Sequence, residues 1–381
     1  MTRRCSDGGN ATRVPIAVVI ESMAGGGAQQ VLSQLLAHWD ACGRETVLIT
    51  LRGAEVDAFP VPVRTRRLVI GGAGASRNPV EALVGNVGRV RALRKALRAS
   101  GAAVVVSFLT PMNITAILAS RGLGIPIIVC ERNDPRRQPL GLAWRLLRMV
   151  SYRFADSVTV NSMGAAVALR PLARSVTYLP NPLRTASDAS IGPKRGHLLL
   201  AVGRLHRQKR FDLLLEAFAS QRADLHEWTL RILGTGPEQP ALAERAADLG
   251  IEVEFPGYVA DPFPHYRAAD IFVMPSDYEG SPNALWEAMS CGAACVVSSG
   301  VVDAAWAMEQ GAVADFHVGD SVSLGDAIAS LASEPRTRER LGALARDAAQ
   351  RFEAGAALAA WDEEIDRVVS EFRPRAARGV R

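Results

Sequence analysis

The chemistry of this chain is concentrated in three short stretches that can hold an anion. In PSDYEGSPNALWEAMSCG, residues 275–292, Glu279 and Glu287 stand eight residues apart. Pro282 and Asn283 read as the start of a helix that carries Glu287, with Glu279 in the loop before it. The backbone N–H groups of Gly280, Ser281, Asn283, Ala284 and Leu285 then cluster at a helix start, where N–H groups lack intrahelical partners and favour an anion. A carboxylate beside them can accept hydrogen bonds from vicinal hydroxyls. Helix capping and salt bridging by the two acids is the plain alternative. In AVGRLHRQKRFDLLLEAF, residues 201–218, Arg204 and Lys209 follow a strand that ends at Gly203. Two cations on one strand-end loop can converge on a diphosphate, Arg as a fork and Lys as a point charge. A solvated basic loop is the alternative. Gly25-Gly26-Gly27 follows the first strand and opens a helix, so its amides can approach a phosphate closely, unless it is only a tight turn. It is neither a Walker loop nor G-x-G-x-x-G, and Gly234-Thr235-Gly236 is only half of a dinucleotide fingerprint.

Alternating apolar runs and amphipathic segments must position these stretches. Pro15–Ile20, Val47–Leu51, Val104–Phe108, Ile127–Cys130 and Val158–Val160 read as buried parallel strands, with a helix over Ala28–Asp40. A second series follows: strands at His197–Val202, Thr229–Leu233, Glu252–Phe255, Ile271–Met274 and Ala294–Val297, and helices at Phe211–Ala219, Pro237–Leu249 and Ala284–Met289. Strands alternating with helices give an α/β class with two Rossmann-like doubly wound domains facing across a cleft. The domains are expected at 1–183 and 197–357. A Pro/Gly/Ser-rich linker lies at 184–196, and a C-terminal helix over about 358–381 is a candidate to pack back on the first domain.

The 381 residues are 48% hydrophobic and 22% charged, which excludes intrinsic disorder. The net charge of +5 conceals an asymmetry: residues 1–185 hold 24 Lys and Arg against 10 Asp and Glu, residues 186–381 hold 20 against 29. A basic half suits an anionic partner. Five scattered cysteines argue against a disulfide framework or a zinc site, and toward a cytoplasmic setting. No stretch of about 18 apolar residues is present. No nucleic-acid motif supports a nucleic-acid partner.

Taken together, the motifs resemble the retaining glycosyltransferases of family four, the glycosyl transferases group 1, which have the GT-B fold. The matching residues are VGRLHRQKRFDLLLEAFA, ILGTGPE and GYVADPFPHYRAADIFVMPSDYEGSPNALWEAMSCG, densely over 200–298. GGGAQQV, SFLTPMN, ERNDP and LPNP extend the match through the first half. The resemblance implies transfer of a sugar from a nucleotide-sugar donor, probed best as a UDP-hexose or UDP-N-acetylhexosamine, to a glycan or lipid-linked glycan with retention of configuration. It implies that Gly26 and Gly27 donate to the donor diphosphate, and that Arg204 and Lys209 neutralise it as it leaves. The backbone around Tyr258 and Val259 receives the base, Glu287 the ribose hydroxyls, and Glu279 the transferred sugar. No cofactor and no metal is expected, since Asp-x-Asp is absent from the chain.

Two segments depart from the family. ERNDP stands where many relatives have a His, in a form resembling a subgroup that builds bacterial lipid-linked or surface glycans. Glu131, Arg132 and Asn133 are therefore acceptor-side candidates, with structural capping as the alternative. SSGVVDAAWAMEQGAVADF, residues 298–316, has lost a Gly-Pro pair and a Glu. Two other readings stay open: a different enzyme on the same scaffold, such as a sugar-nucleotide epimerase, a phosphorylase or a starch-type synthase, and a non-catalytic nucleotide-sugar-binding protein. NVGRVRALRKALRAS, residues 86–100, and the segment around Trp144 with Arg136, Arg137, Arg145 and Arg148 suit peripheral contact with an anionic membrane, unless their apolar stripes face the sheet. Nothing in the sequence fixes the oligomeric state.

Overall fold

The β-branched runs at Ile16–Val19, Thr46–Thr50, Val104–Phe108, Ile127–Glu131, Ser157–Val160, Ile271–Met274 and Ala294–Ser298 become parallel strands buried on both faces. The computed structural model describes residues 13–72, 79–132, 135, 136, 138, 140–183, 196–352 and 354–373. Its first sheet contains β1 Ile16–Val19, β2 Thr46–Thr50, β3 Arg66–Val69, β4 Val104–Phe108, β5 Ile127–Glu131, β6 Ser157–Val160 and β7 Val176–Tyr178, in the order β3-β2-β1-β4-β5-β6-β7. The second contains β8 Leu198–Val202, β9 Thr229–Leu233, β10 Val253–Gly257, β11 Ile271–Met274, β12 Ala294–Ser298 and β13 Ala314–Phe316, in the order β10-β9-β8-β11-β12-β13. Every pairing within these sheets is parallel.

Side chains alternate between two hydrophobic layers, as the pleat requires. Ala17 and Val19 of β1 join one cluster, Ile16 and Val18 the other. Leu199 and Ala201 of β8 likewise oppose Leu200. Such strands lack polar alternation, which is why they read as continuous apolar runs. The short outer strands β3, β7 and β13 escape that signal: β3 is Arg-Arg-Leu-Val and none of its residues is buried.

The strand order reverses between β1 and β4 in the first sheet and between β8 and β11 in the second. In open α/β sheets, ligands bind outside the carboxyl ends of the strands at such a switch point. Both glycine- and cation-bearing loops named above lie there: Gly25–Gly27 follows β1, and Arg204 to Lys209 follows β8.

The chain divides into two compact units, Met1–Pro182 with Gly355–Arg381, and Leu183–Ala354. Residues 184–195 of the expected linker lie outside the described residues. The last helix, Ala354–Glu371, starts earlier than residue 358 and completes unit 1. Its Trp361 stacks on Phe108 at 6.0 Å. Asp362 lies 2.9 Å from His38 Nε2 and accepts from Trp39 Nε1 at 3.1 Å. The buried Glu364 accepts from Ser157 Oγ and from Thr177 Oγ1. Cys42 takes part in a disulfide, whereas Cys130, Cys291 and Cys295 are free, so the expectation of reduced cysteines does not hold at Cys42.

Packing narrows the two stretches expected to meet a membrane. In the helix Pro79–Ser100, Leu93 and Leu97 are buried in the sheet-facing cluster, and Arg94 is tied to the carbonyls of Ala119 and Arg121. In the helix Leu142–Ser151, Trp144 packs against the same cluster. Arg148 there is buried and donates to Gln138 Oε1 and the Pro135 carbonyl rather than to solvent. Arg137 lies outside the described residues.

Candidate functional site

In unit 2, the loop after β8 and the loop after β11 are fastened to each other. Gln208 Nε2 donates to the Tyr278 carbonyl at 2.7 Å, and Asp277 N to the Gln208 carbonyl at 3.0 Å. Lys209, in the turn Arg207–Lys209, places Nζ 2.5 Å from Glu279 Oε1. Ser276 Oγ donates to the same oxygen at 2.6 Å. The side chains of Lys209 and Glu279 are 19% and 9% exposed, so the pair is partly shielded and stronger than a surface ion pair. Arg210, next in the chain, is held in a left-handed conformation by Asp212 and Asp277, both at 3.2 Å.

Arg204 is exposed, and no hydrogen bond or ion pair holds it among the described residues. Its loop is wedged against the next one. Leu205 N donates to the Thr235 carbonyl at 3.0 Å. A Cβ on Gly234, at φ 135°, would stand 1.9 Å from the Gly203 carbonyl oxygen. The Gly-Thr-Gly of this loop is thus explained by backbone packing, not by a dinucleotide.

Pro282 precedes the helix Asn283–Ser290, as the sequence reading expected. Asn283 N and Leu285 N are already engaged by the Ser281 and Pro282 carbonyls, so those two amides are less available to an anion than the sequence implied. Gly280, Ser281 and Ala284 are half-buried beside them. Glu287 lies one turn further on, is buried, and accepts from Tyr266 Oη at 3.1 Å. Tyr258 (61% exposed) and the half-buried Val259 follow β10. Gly300 brings the altered 298–316 segment against the same loop, since a Cβ on it would meet the Asp277 carbonyl oxygen at 2.2 Å.

In unit 1, Gly25, Gly26 and Gly27 are exposed, and the helix Gly27–Ala41 has no side-chain cap. Its first amides therefore remain open to an anion. Glu131 and Arg132 end β5 and diverge. Glu131 is buried and accepts from Thr110 Oγ1 and Tyr152 Oη. Burial pushes its carboxyl above the ordinary range, against the opposing pull of those two hydroxyls. Burial also raises the neighbouring Cys130 thiol to about 11, so it is not a ready nucleophile. Asn133 lies outside the described residues.

Sequence reasoning missed Ser276, Gln208, Tyr266 and Tyr152. Ser276 stands three residues before Glu279, where spacing alone could have flagged it. Tyr266 and Tyr152 reach their acids from 21 residues away, and no local pattern announces that.

Residues 26–182 match the family described as "Glycosyl transferase 4-like domain", and residues 196–334 match "Glycosyl transferases group 1". The chain is 33% identical over 242 residues to the GalNAc-alpha-(1->4)-GalNAc-alpha-(1->3)-diNAcBac-PP-undecaprenol alpha-1,4-N-acetyl-D-galactosaminyltransferase of Campylobacter jejuni, covering 62% of this chain and 66% of that one. It is 28% identical over 207 residues to the lipopolysaccharide core biosynthesis glycosyltransferase LpsE of Rhizobium meliloti, covering 51% and 59%. The matched stretches thus span slightly less than two thirds of these relatives. Among solved structures, HepE of Anabaena in complex with UDP and glucose superposes with a TM-score of 0.75 at 18% identity, covering 94% of this chain and 100% of that one. WaaG, a glycosyltransferase involved in lipopolysaccharide biosynthesis, does so at 0.72 and 16%, covering 92% and 99%. At such identities the likeness speaks for the fold, two Rossmann-like parallel-sheet domains of the GT-B class.

Proposed function

Because this chain belongs to the glycosyl transferases of group 1, we propose that it moves a sugar from a nucleotide-sugar donor, a UDP-hexose or UDP-N-acetylhexosamine, to a glycan or lipid-linked glycan. The observation that carries this reading is the Lys209–Glu279 contact at the switch point between β8 and β11. It puts a cation and a sugar-type carboxylate ligand within one hydrogen bond of each other, at the end of the sheet where α/β folds take their ligands.

The chemistry follows from charge. Breaking the sugar–phosphate bond leaves a cationic sugar and a nucleoside diphosphate that carries the bonding electrons. Lys209, with the exposed Arg204, stabilises that developing negative charge. Glu279 accepts from hydroxyls of the transferred sugar, oriented by Ser276. Glu287, fixed by Tyr266, serves the ribose hydroxyls. The acceptor hydroxyl attacks from the face the phosphate leaves and passes its proton to the departing diphosphate oxygen, so configuration is retained and neither a protein nucleophile nor a metal is required. The relative's PP-undecaprenol acceptor and the UDP bound to HepE support the choice of acceptor and base.

A lipid-linked acceptor calls for a membrane surface, and the helix Leu142–Ser151 supports one. Leu142, Leu146, Met149 and Val150 recur at helical spacing and are each more than half exposed, next to the exposed Arg145 and Arg153. No helix among the described residues is long and apolar enough to cross a membrane. The reading is peripheral binding through the helix Leu142–Ser151.

Labelled UDP-sugars tested with and without a polyprenyl-diphosphate glycan decide the function. Transfer that requires the acceptor is expected. Turnover of the donor without acceptor would point to an epimerase, and donor binding with no turnover under any acceptor to a non-catalytic protein.

A further inference from the structure

Arg132 is a buried cation with no carboxylate ion pair among the described residues. It follows β5, next to the switch-point strand β4, and is 6% exposed. Nη1 donates to Asn181 Oδ1 at 3.1 Å. The guanidinium lies 5.0 Å from the ring centre of Trp361 and 5.6 Å from that of Phe108. Nε and Nη2 are buried without a hydrogen bond of good geometry, and the group that faces the guanidinium on this layer is the Cys130 thiol, kept neutral by burial and only a weak acceptor. No carboxylate among the described residues forms an ion pair with it. Glu131 points to the opposite layer, with Thr110 and Tyr152. On Arg132's own layer, Thr159, paired in register with Cys130, has a buried hydroxyl whose polar neighbour is the Cys130 thiol.

A guanidinium does not shed its proton, so burial leaves a full charge that two aromatic faces offset only in part. An unpaired buried charge is costly and calls for a partner. The two nitrogens without a good hydrogen bond belong to one side of the planar fork, the Nε/Nη2 side. That side offers two parallel N–H donors, spaced for two oxygens of one phosphoryl group.

We propose that the Nε/Nη2 edge of Arg132 is a binding site for a phosphoryl oxyanion carried by unit 1, with Trp361 and Phe108 holding the guanidinium in plane. This extends the reading of unit 1 as the acceptor side. The source of the phosphoryl group is either the nucleotide donor or a phosphorylated acceptor.

The test uses the full chain with Arg204→Ala and Lys209→Ala, so that the unit 2 cations do not hold the probe. Calorimetric titration with inorganic pyrophosphate is expected to show binding, and adding Arg132→Met to weaken the tightest site at least tenfold. Arg132→Lys, which keeps the charge but loses the fork, should fall between. No binding to the double variant, or equal binding with Met at position 132, overturns the proposal. Should Arg132→Met not fold by circular dichroism, Arg132→Gln gives the same reading. Displacement of pyrophosphate by UDP identifies the donor as the source. Displacement by a short-chain isoprenyl diphosphate and not by UDP identifies the acceptor. No turnover is measured, so the site can fail while the transferase reading stands.

Discussion

Lys209 Nζ and Glu279 Oε1 lie 2.5 Å apart, joining the loops that leave two adjacent strands, β8 and β11. A cation meant for a diphosphate and an acid meant for sugar hydroxyls thus hold each other. Under the proposed function, donor binding exchanges this contact for contacts with the substrate, so the loss of either residue is expected to affect the other.

Lys209→Ala is expected to lower kcat about 100- to 1,000-fold, the usual scale for losing one preorganised charge-stabilising group. Glu279→Ala should do the same while circular dichroism stays native. The double variant should fall short of the product of the two effects, because the residues touch. Wild-type turnover in either single variant sinks the assignment.

Gly234→Ala should destabilise the protein by about 3 kcal/mol, because φ is 135° and the new Cβ meets the Gly203 carbonyl oxygen at 1.9 Å. Urea denaturation measures this. The loop that carries Arg204 must shift, so donor affinity should fall as well; an unchanged midpoint would contradict the packing described.

Glu131→Gln tests the buried acid. A carboxyl raised above its unfolded value of 4.5 contributes stability fully below that value, and the contribution is lost as pH rises through the folded value. The amide oxygen can still accept from Tyr152 and Thr110. The variant should therefore be at least as stable at pH 8 and show a flatter decline of stability from pH 5 to 8. An unchanged decline would mean that Glu131 is ionised in the fold.

Asp362 has the opposite sign. Burial opposes its ionisation, but His38, Arg44 and Arg13 together outweigh burial and hold the carboxyl below its ordinary 3.8. Its contribution is present above that value and disappears as pH falls through the lower folded one. Asp362→Asn should cost about 1–2 kcal/mol at pH 7 and flatten the acid limb of the stability curve below pH 4. Chemical denaturation from pH 2 to 7 checks both.

Leu146→Asp with Met149→Asp should reduce cosedimentation with anionic vesicles about tenfold or more, since each removes an exposed apolar side chain. Transfer to a soluble acceptor analogue should persist. Equal vesicle binding would remove this helix from the membrane reading.

The sequence by itself determined the two series of buried strands, the family, and the residues that carry charge: Arg204, Lys209, Glu279 and Glu287. Continuous apolar runs are the direct imprint of strands covered on both faces, and motif spacing survives because each motif lies within one strand–loop–helix unit. Tertiary structure alone decided who pairs with whom. Lys209 reaches Glu279 over 70 residues, Tyr266 reaches Glu287 over 21, and Trp361 from the last helix packs under Arg132 and Phe108. It also decided that Leu93, Leu97 and Arg148 face inward while Leu142 and Leu146 stay outside. Local spacing says that a helix has an apolar stripe, but only the neighbouring sheet determines which stripe is covered.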